Sequence, residues 1–372
     1  MRVFQIMAGI ATELREDYPT ALPADGGYLW VSVTRREFEV TLPHLQTMLH
    51  TLCGGGLVDL HVSDLLNNQL PSHHDYTSAY DVLVFRRLAA AQTDTDLTQP
   101  GEPLHESNRK SVPQVLRRIN THPVGFAVFD RVLLSVHPAN CAVRDAYAER
   151  LLSSTNGLGV RNGASRLPVD PADLMLRVVN YMVDGYLELR RELTRDLDRW
   201  QEALLDTRKK FYDWRSMLDT RLSLHILDEV CEDQRAAIQD WIEAVKTWPA
   251  PSTEQGQRER ELLLVRSRDV LEHIERVIHH VDRLERSAET AVQMHFSVQG
   301  NRTNDTMRAL TAITAIFLPL NLITGFFGMN FEFLPLIHQA DGLWWAVSSM
   351  VLIALSLVAL FWRKRYLART GH

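Results

Sequence analysis

The sequence predicts a membrane protein of mixed α and β structure: an N-terminal α/β cytosolic domain, then a long stalk helix that continues into the first of two C-terminal transmembrane helices. Three observations predict it. Ala309–Phe327 and Leu343–Trp362 are uncharged, mostly apolar runs of the length that crosses a bilayer as a helix. Residues 1–165 alternate short Val-, Phe- and Leu-rich runs with helical stretches. From Thr253 onward a helical rhythm runs without another proline until Pro319.

In chain order, Val3–Ile10, Tyr28–Val33, Val58–Val62, Val82–Leu88, Gly125–Phe129 and Val132–His137 are expected strands, and Phe38–Leu52, Ser63–Asn68 and Cys141–Leu152 expected helices. Gln92–Glu106 is polar, with Pro100, Gly101 and Pro103, and reads as a loop. Asn156–Pro171, rich in Gly, Asn and Pro, ends the domain near residue 165. Residues 166–252 read as a helical pair: Leu174, Val178, Tyr181, Met182, Leu189 and Leu193 recur at helical spacing, and Trp248-Pro249-Ala250-Pro251 breaks the pattern. Residues 253–305 form the stalk, 306–330 the first span, 331–342 an external loop, 343–362 the second span and 363–372 a basic tail. A helix unbroken from Glu254 to Phe327 would be about 110 Å long, which requires a bundle or an oligomer.

The whole chain has 372 residues, 45% of them hydrophobic, and a net charge of −6. That charge gives no reason to expect nucleic-acid binding. Three scattered cysteines, Cys53, Cys141 and Cys231, lack metal-ligand spacing and suit a reducing compartment. Met1–Ile10 lacks the basic and long apolar pattern of a signal peptide. There is no phosphate-cradling glycine loop and no nucleophile–base constellation, so neither an enzyme nor a pump driven by nucleotide hydrolysis is expected.

The first span is unusual for an anchor. Thr311, Thr314, Asn321 and Thr324 are polar, and with Asn304, Met307, Leu318, Gly325 and Gly328 they build one helical stripe. Polar groups at membrane depth face protein or water. The stripe therefore serves either close helix packing or a pore. The loop holds Glu332 and Asp341 and no Lys or Arg, while Arg302, Arg308, Arg363, Lys364, Arg365 and Arg369 flank the spans. Positive flanks stay inside, so both termini are expected in the cytoplasm of a multi-pass protein of the inner (plasma) membrane. An acidic, base-free outer loop favours cations. Trp344-Trp345 reads as an interfacial aromatic belt. The pairs His73-His74 and His279-His280 read as surface residues.

Asn301-Arg302-Thr303-Asn304, Met307, Leu310-Thr311, Pro319-Leu320, Gly325 and Gly328-Met329-Asn330-Phe331-Glu332 resemble the first transmembrane segment of the CorA family of magnesium channels. The basic tail resembles that family's C-terminus. Weaker similarities lie at Val62-Ser63-Asp64-Leu65-Leu66-Asn67, Val183-Asp184-Gly185-Tyr186 and Arg268-Asp269-Val270-Leu271-Glu272-His273. The resemblance implies a homopentamer in the lipid bilayer whose five stalk-pore helices line a channel for Mg2+, with Co2+ and Ni2+ as further ions. It assigns the selectivity filter to Gly328, Met329 and Asn330, with Asn330 taking the first hydrated ion and Glu332 in the external loop. Asn304, Met307, Leu310, Thr311, Thr314, Leu318 and Asn321 would line the pore. Asp64 and Asp269 would hold the regulatory Mg2+ that closes it between subunits. The sequence departs from relatives at Leu318 (often Met), Asn321 (often Thr) and Phe327 (often Tyr). Two rival readings stand: a zinc transporter of the related branch, which usually carries Gly-Val-Asn, and a membrane-anchored scaffold or sensor without transport.

Overall fold

The computed structural model describes residues 1–24, 26–90, 116, 119–139, 141–155, 167–205, 214–329 and 341–363. They form two compact units, Met1–Thr290 and Ala291–His372.

In the first unit the described residues build a seven-stranded sheet from β1 (Arg2–Met7), β2 (Ile10–Leu14), β3 (Tyr28–Thr34), β4 (His73–Tyr76), β5 (Asp81–Arg86), β8 (Pro123–Val128) and β9 (Val132–His137), in the order β2-β1-β3-β9-β8-β5-β4. Two short strands, β6 (Ala89–Ala90) and β7 (Ile119–Asn120), pair separately. Only β3 and β9 run parallel within the large sheet, with Val31 opposite Leu134; the other pairs are antiparallel. The middle strands are buried throughout, so helices must cover both faces.

One face packs under α1 (Arg35–Cys53) and α2 (Asp59–Leu66): Leu29, Val31, Val33, Val82, Val84 and Leu134 meet Phe38, Leu45, Leu49, Val62 and Leu65. Helix α1 starts in a capping box, in which Thr34 Oγ1 accepts from the Glu37 N–H at 3.3 Å and Glu37 Oε2 accepts from the Thr34 N–H at 2.8 Å. It stops at Gly54, whose φ of 76° suits a residue without a side chain. On the alternate residues of the sheet, Phe4 stacks on Trp30 with ring centroids 4.7 Å apart, and Trp30 meets Tyr147 of α3 (Ala142–Thr155) edge-on. Helix α4 (Pro171–Asp184) packs against β3, β8 and β9. The architecture is α/β/α.

The sequence expectation of a strand at Val58–Val62 is overturned, because those residues enter α2. Leu57, His61, Val62 and Leu65 are buried at helical spacing, a pattern that a short apolar run can mimic. The expected strand Val3–Ile10 divides into β1 and the start of β2, with Ala8 and Gly9 at positive φ between them. The polar edge strand β4 had no expectation.

Helices α5 (Tyr186–Leu205), α6 (Trp214–Thr247) and α7 (Glu254–Phe327) follow. Leu263, Val270, Ile274, Val277, Val281 and Leu284 form the buried stripe of α7 in this unit. Polar ties fix it laterally: Trp241 Nε1 of α6 donates to Ser267 Oγ at 3.1 Å, and Tyr186 Oη lies 2.7 Å from His280 Nδ1. The tie to α4 is a buried acid, Asp173, 2% exposed. It accepts from the Val169 N–H at 3.1 Å, from Arg177 Nε at 3.1 Å and from Arg266 Nη1 of α7.

The second unit holds the rest of α7 and helix α8 (Asp341–Arg363). Both are long and apolar enough to cross a membrane, and almost none of the residues in their apolar windows is fully buried in the single chain.

Removing Asp173 leaves two guanidinium groups without their buried partner, a defect worth about 3–5 kcal/mol. Asp173→Ala in the full-length protein in detergent is expected to lower the thermal unfolding midpoint by several degrees, read by tryptophan fluorescence, whereas alanine at exposed Glu254 leaves it unchanged.

Candidate functional site

The stripe read from the sequence lies on α7. Asn304, Met307, Leu310, Thr311, Thr314, Leu318, Asn321 and Gly325 are all exposed in the single chain; Met307, Leu310 and Leu318 are 62%, 64% and 70% exposed. The covered face is a different one. Ala309, Ala312, Ala315, Ile316, Pro319, Leu320, Ile323 and Phe327 are half-buried or buried, and Ala312 is fully buried. At about 100° per residue the two faces lie on opposite sides of the helix. Helix α8 shows the matching pattern, with Ala346, Ser349, Met350, Ile353, Ala354, Leu357 and Phe361 half-buried at helical spacing. Alanines on both covered faces allow close approach without hydrogen bonds. Within the single chain the covered residues are apolar or small, and the polar stripe is left exposed.

The hydroxyl groups on this segment are turned into the helix. Thr311 donates to the Met307 carbonyl at 2.8 Å, Thr314 to the Leu310 carbonyl at 2.9 Å and Thr324 to the Asn321 carbonyl at 3.0 Å. Helix α7 ends where Gly328 N–H donates to the Thr324 carbonyl at 2.9 Å and Met329 N–H to the Phe326 carbonyl at 3.3 Å. A Cβ on Gly328 would sit 3.0 Å from the Thr324 oxygen, which is why glycine suits this close. Met329 is 43% exposed. Asn330 and Glu332 lie outside the described residues.

The two expected regulatory carboxylates sit in different surroundings of the first unit. Asp64 lies inside α2, not at its cap, with His73 Nε2 3.8 Å away. Arg35 steadies the end of that helix by donating to the Leu65 carbonyl at 3.2 Å and the Pro123 carbonyl at 2.9 Å, and burial pulls its guanidinium down to about 10. Asp269 is open to solvent, its side chain 59% exposed. His273, one turn on, has Nε2 3.9 Å from Asp269 and Nδ1 3.6 Å from Asp184 at the end of α4. Asp184 and His273 border a cavity of about 130 Å³ with Tyr186, Arg190 and Arg276. Sequence reasoning passed over this pair. The i, i+4 spacing of Asp269 and His273 was the available signal; the approach of Asp184 is a tertiary contact.

The histidine pairs correct an expectation. His280 is buried between Tyr186 and Thr194, and burial pulls it down to about 4, so it stays neutral at physiological pH. His74 is also enclosed, its side chain 3% exposed, with Nε2 3.1 Å from Asp81 Oδ1. Neither is a surface residue. Each lies where its helix or strand meets a neighbour carrying a polar partner, which sequence adjacency does not reveal.

An α/β domain joined by one long helix to two helices apolar enough to cross a membrane, the first bearing a polar stripe that is exposed in the single chain, has the architecture of a two-span membrane protein. The family model for the CorA-like Mg2+ transporter protein matches residues 103–365, well over half of the chain, and the protein belongs to that family. The cobalt/magnesium transport protein CorA of Thermotoga maritima is 26% identical over 200 residues, 52% of each chain. That of Methanocaldococcus jannaschii is 37% identical over 71 residues, 19% of this chain and 22% of the relative. The aligned segments thus span about half or less of these relatives. The complete structure of the CorA magnesium transporter from M. jannaschii matches the fold with a TM-score of 0.67 at 17% identity, covering 100% of this chain and 98% of the other.

The sorting of faces predicts aqueous access. In the membrane-embedded full-length protein, with the native cysteines replaced, Thr311→Cys and Thr314→Cys are expected to react with a membrane-impermeant thiol reagent, and Ala312→Cys and Ile316→Cys to stay protected. Equal protection of both sets would return the stripe to a packing role.

Proposed function

We propose that this protein is a passive channel for hydrated magnesium across the plasma membrane, formed by a homo-oligomer, a pentamer by family resemblance, with both termini in the cytoplasm. The observation that carries the reading is the polar stripe on the uncovered face of α7, in a chain of the CorA family that continues into Gly328-Met329-Asn330. A copy of the stripe from each subunit would surround a common axis. Magnesium dehydrates reluctantly and keeps octahedral oxygen coordination, so a pore of neutral oxygens passes it with its water. Asn330, repeated by symmetry, takes the hydrated ion at the outer mouth, beside Glu332. Gly328 and Met329 hold that turn, and Thr311, Thr314 and Asn321 hand the ion inward. Leu318, Leu310 and Met307 are constrictions that close by dewetting. Asn304 is the inner mouth. A potential of 100 mV favours entry of a divalent cation by about 4.6 kcal/mol, so no pump is needed. Co2+ and Ni2+, also hydrated octahedral ions, are further substrates.

Closure follows from Asp269 and Asp64 of neighbouring subunits. Facing carboxylates repel until a cation lies between them, so cytosolic Mg2+ stabilises the packed, closed state. Among the described residues each acid has a histidine nearby, His73 at 3.8 Å from Asp64 and His273 at 3.9 Å from Asp269, both longer than a hydrogen bond.

Two outcomes are expected from Mg2+ influx into liposomes holding the full-length protein, at low Mg2+ on the domain side and an inside-negative potential. Native protein conducts and Asn330→Ala abolishes the flux. No native flux would overturn the channel reading, and a zinc flux driven by a proton gradient would then separate the zinc branch from a scaffold. In the same vesicles Asp269→Asn is expected to raise several-fold the domain-side Mg2+ that halves influx, with the initial rate unchanged.

A further inference from the structure

We propose that Thr311 and Thr314 act as a pair that grips the two ends of one hydrated divalent cation, through oxygens that can only accept hydrogen bonds. The proposal rests on the channel reading and specifies how the middle of the pore recognises its ion.

A threonine hydroxyl has one hydrogen and two lone pairs. In both residues that hydrogen is held by the helix, on the Met307 carbonyl at 2.8 Å and the Leu310 carbonyl at 2.9 Å. What each hydroxyl can still offer is therefore its lone pairs alone, beside the γ-methyl group. These need donors, and hydrocarbon has none. On α8 the Ser349 hydroxyl is itself turned onto the Ala346 carbonyl at 2.9 Å, and the half-buried α7 face that packs in this unit is not the one that carries Thr311 and Thr314. Among the described residues no side chain donates to either oxygen, and water is the donor at hand. Water bound to a divalent cation is the better one, because the metal draws charge from its oxygen and points both hydrogens away. An anion finds no donor at either residue.

The spacing suits one ion. Residues three apart on a helix are offset by about 4.5 Å along the axis. Opposite water oxygens of octahedral magnesium are about 4.2 Å apart, twice the metal–oxygen distance. A ring of Thr311 oxygens and a ring of Thr314 oxygens can thus meet the lower and upper waters of the same shell. Asn321, seven residues beyond Thr314, lies about 10.5 Å further along and serves a separate position.

Valine keeps the branched shape of threonine and removes the oxygen; serine keeps the oxygen and the same bond to the helix. The test is initial Mg2+ influx in proteoliposomes of the full-length protein, normalised to correctly assembled oligomer. Thr311→Val and Thr314→Val are each expected to lower influx about tenfold or more, with both serine variants within about threefold of native. The double valine variant is expected to fall no further than the worse single one, because either change releases the same ion. A native protein that conducts while the valine variants conduct equally well overturns the proposal. So do valine losses that multiply in the double variant, which would mean two independent positions. A silent native protein overturns the channel reading and this proposal with it, and is told apart by the missing native signal.

Discussion

Hydrocarbon makes no hydrogen bonds, and the second unit is arranged around that constraint. Every polar group carried to membrane depth must find a partner in its own helix, in a neighbour or in water. The threonine hydroxyl hydrogens find theirs in the backbone of α7. The amides of Asn304 and Asn321 sit on the exposed face. A bare amide in an apolar medium costs several kcal/mol. A single hairpin standing alone in lipid would carry that penalty on one side of α7, while its opposite side is already packed through Ala312 and Ala315. Turning the stripes of several copies towards a shared column of water removes it. In the proposed channel, assembly and pore would be one consequence of where the polar residues lie.

The first unit uses its acids in two opposite ways. Asp173 is shut away, 2% exposed, and bound to two arginines and a backbone N–H; its charge is fully answered by the fold. A carboxylate so engaged cannot report an ion concentration, because a cation would have to displace arginine. Asp269, on the helix that supplies one of those arginines, is its counterpart: mostly exposed, with a histidine almost 4 Å away. An acid of this kind leaves its charge open to solvent ions. The two carboxylates thus differ in burial and partners rather than in chemistry, and only the exposed one is placed as the proposed regulation by Mg2+ would need.

The periodic parts of this architecture were legible in the sequence. Val132–His137, the long helix from Glu254 and the two spans follow from runs whose repeat is unambiguous over their length. Elements with weak repeats were not. Val58–Val62 is too short for its apolar residues to separate strand from helix, and β4, His-His-Asp-Tyr, has no alternation to detect. The order of polar residues in the stripe could be read, but which face of α7 packs could not. That depends on small residues such as Ala312 and Ala315, which carry almost no hydropathy signal. The approach of Asp184 to His273, and the burial of His74 and His280, are products of packing between elements distant in sequence.

Pro319 bears on the kind of oxygen the stripe presents. It removes one backbone N–H from α7 and so frees the carbonyl one turn earlier, at Ala315. A freed carbonyl on the uncovered face would add a backbone ligand field to the stripe. Pro319 and Ala315 instead both lie on the covered face, among Ala312, Ile316 and Ile323, and the helix continues past them to Phe327. The stripe is left with side-chain oxygens, all of them neutral between Thr306 and Gly328. Neutral oxygens at the end of a side chain bind a hydration shell more weakly than carboxylates or converging carbonyls would bind the bare ion. For an ion as slow to shed water as magnesium, that weakness would favour passage in the proposed channel, since an ion that never loses its shell need not regain it on leaving.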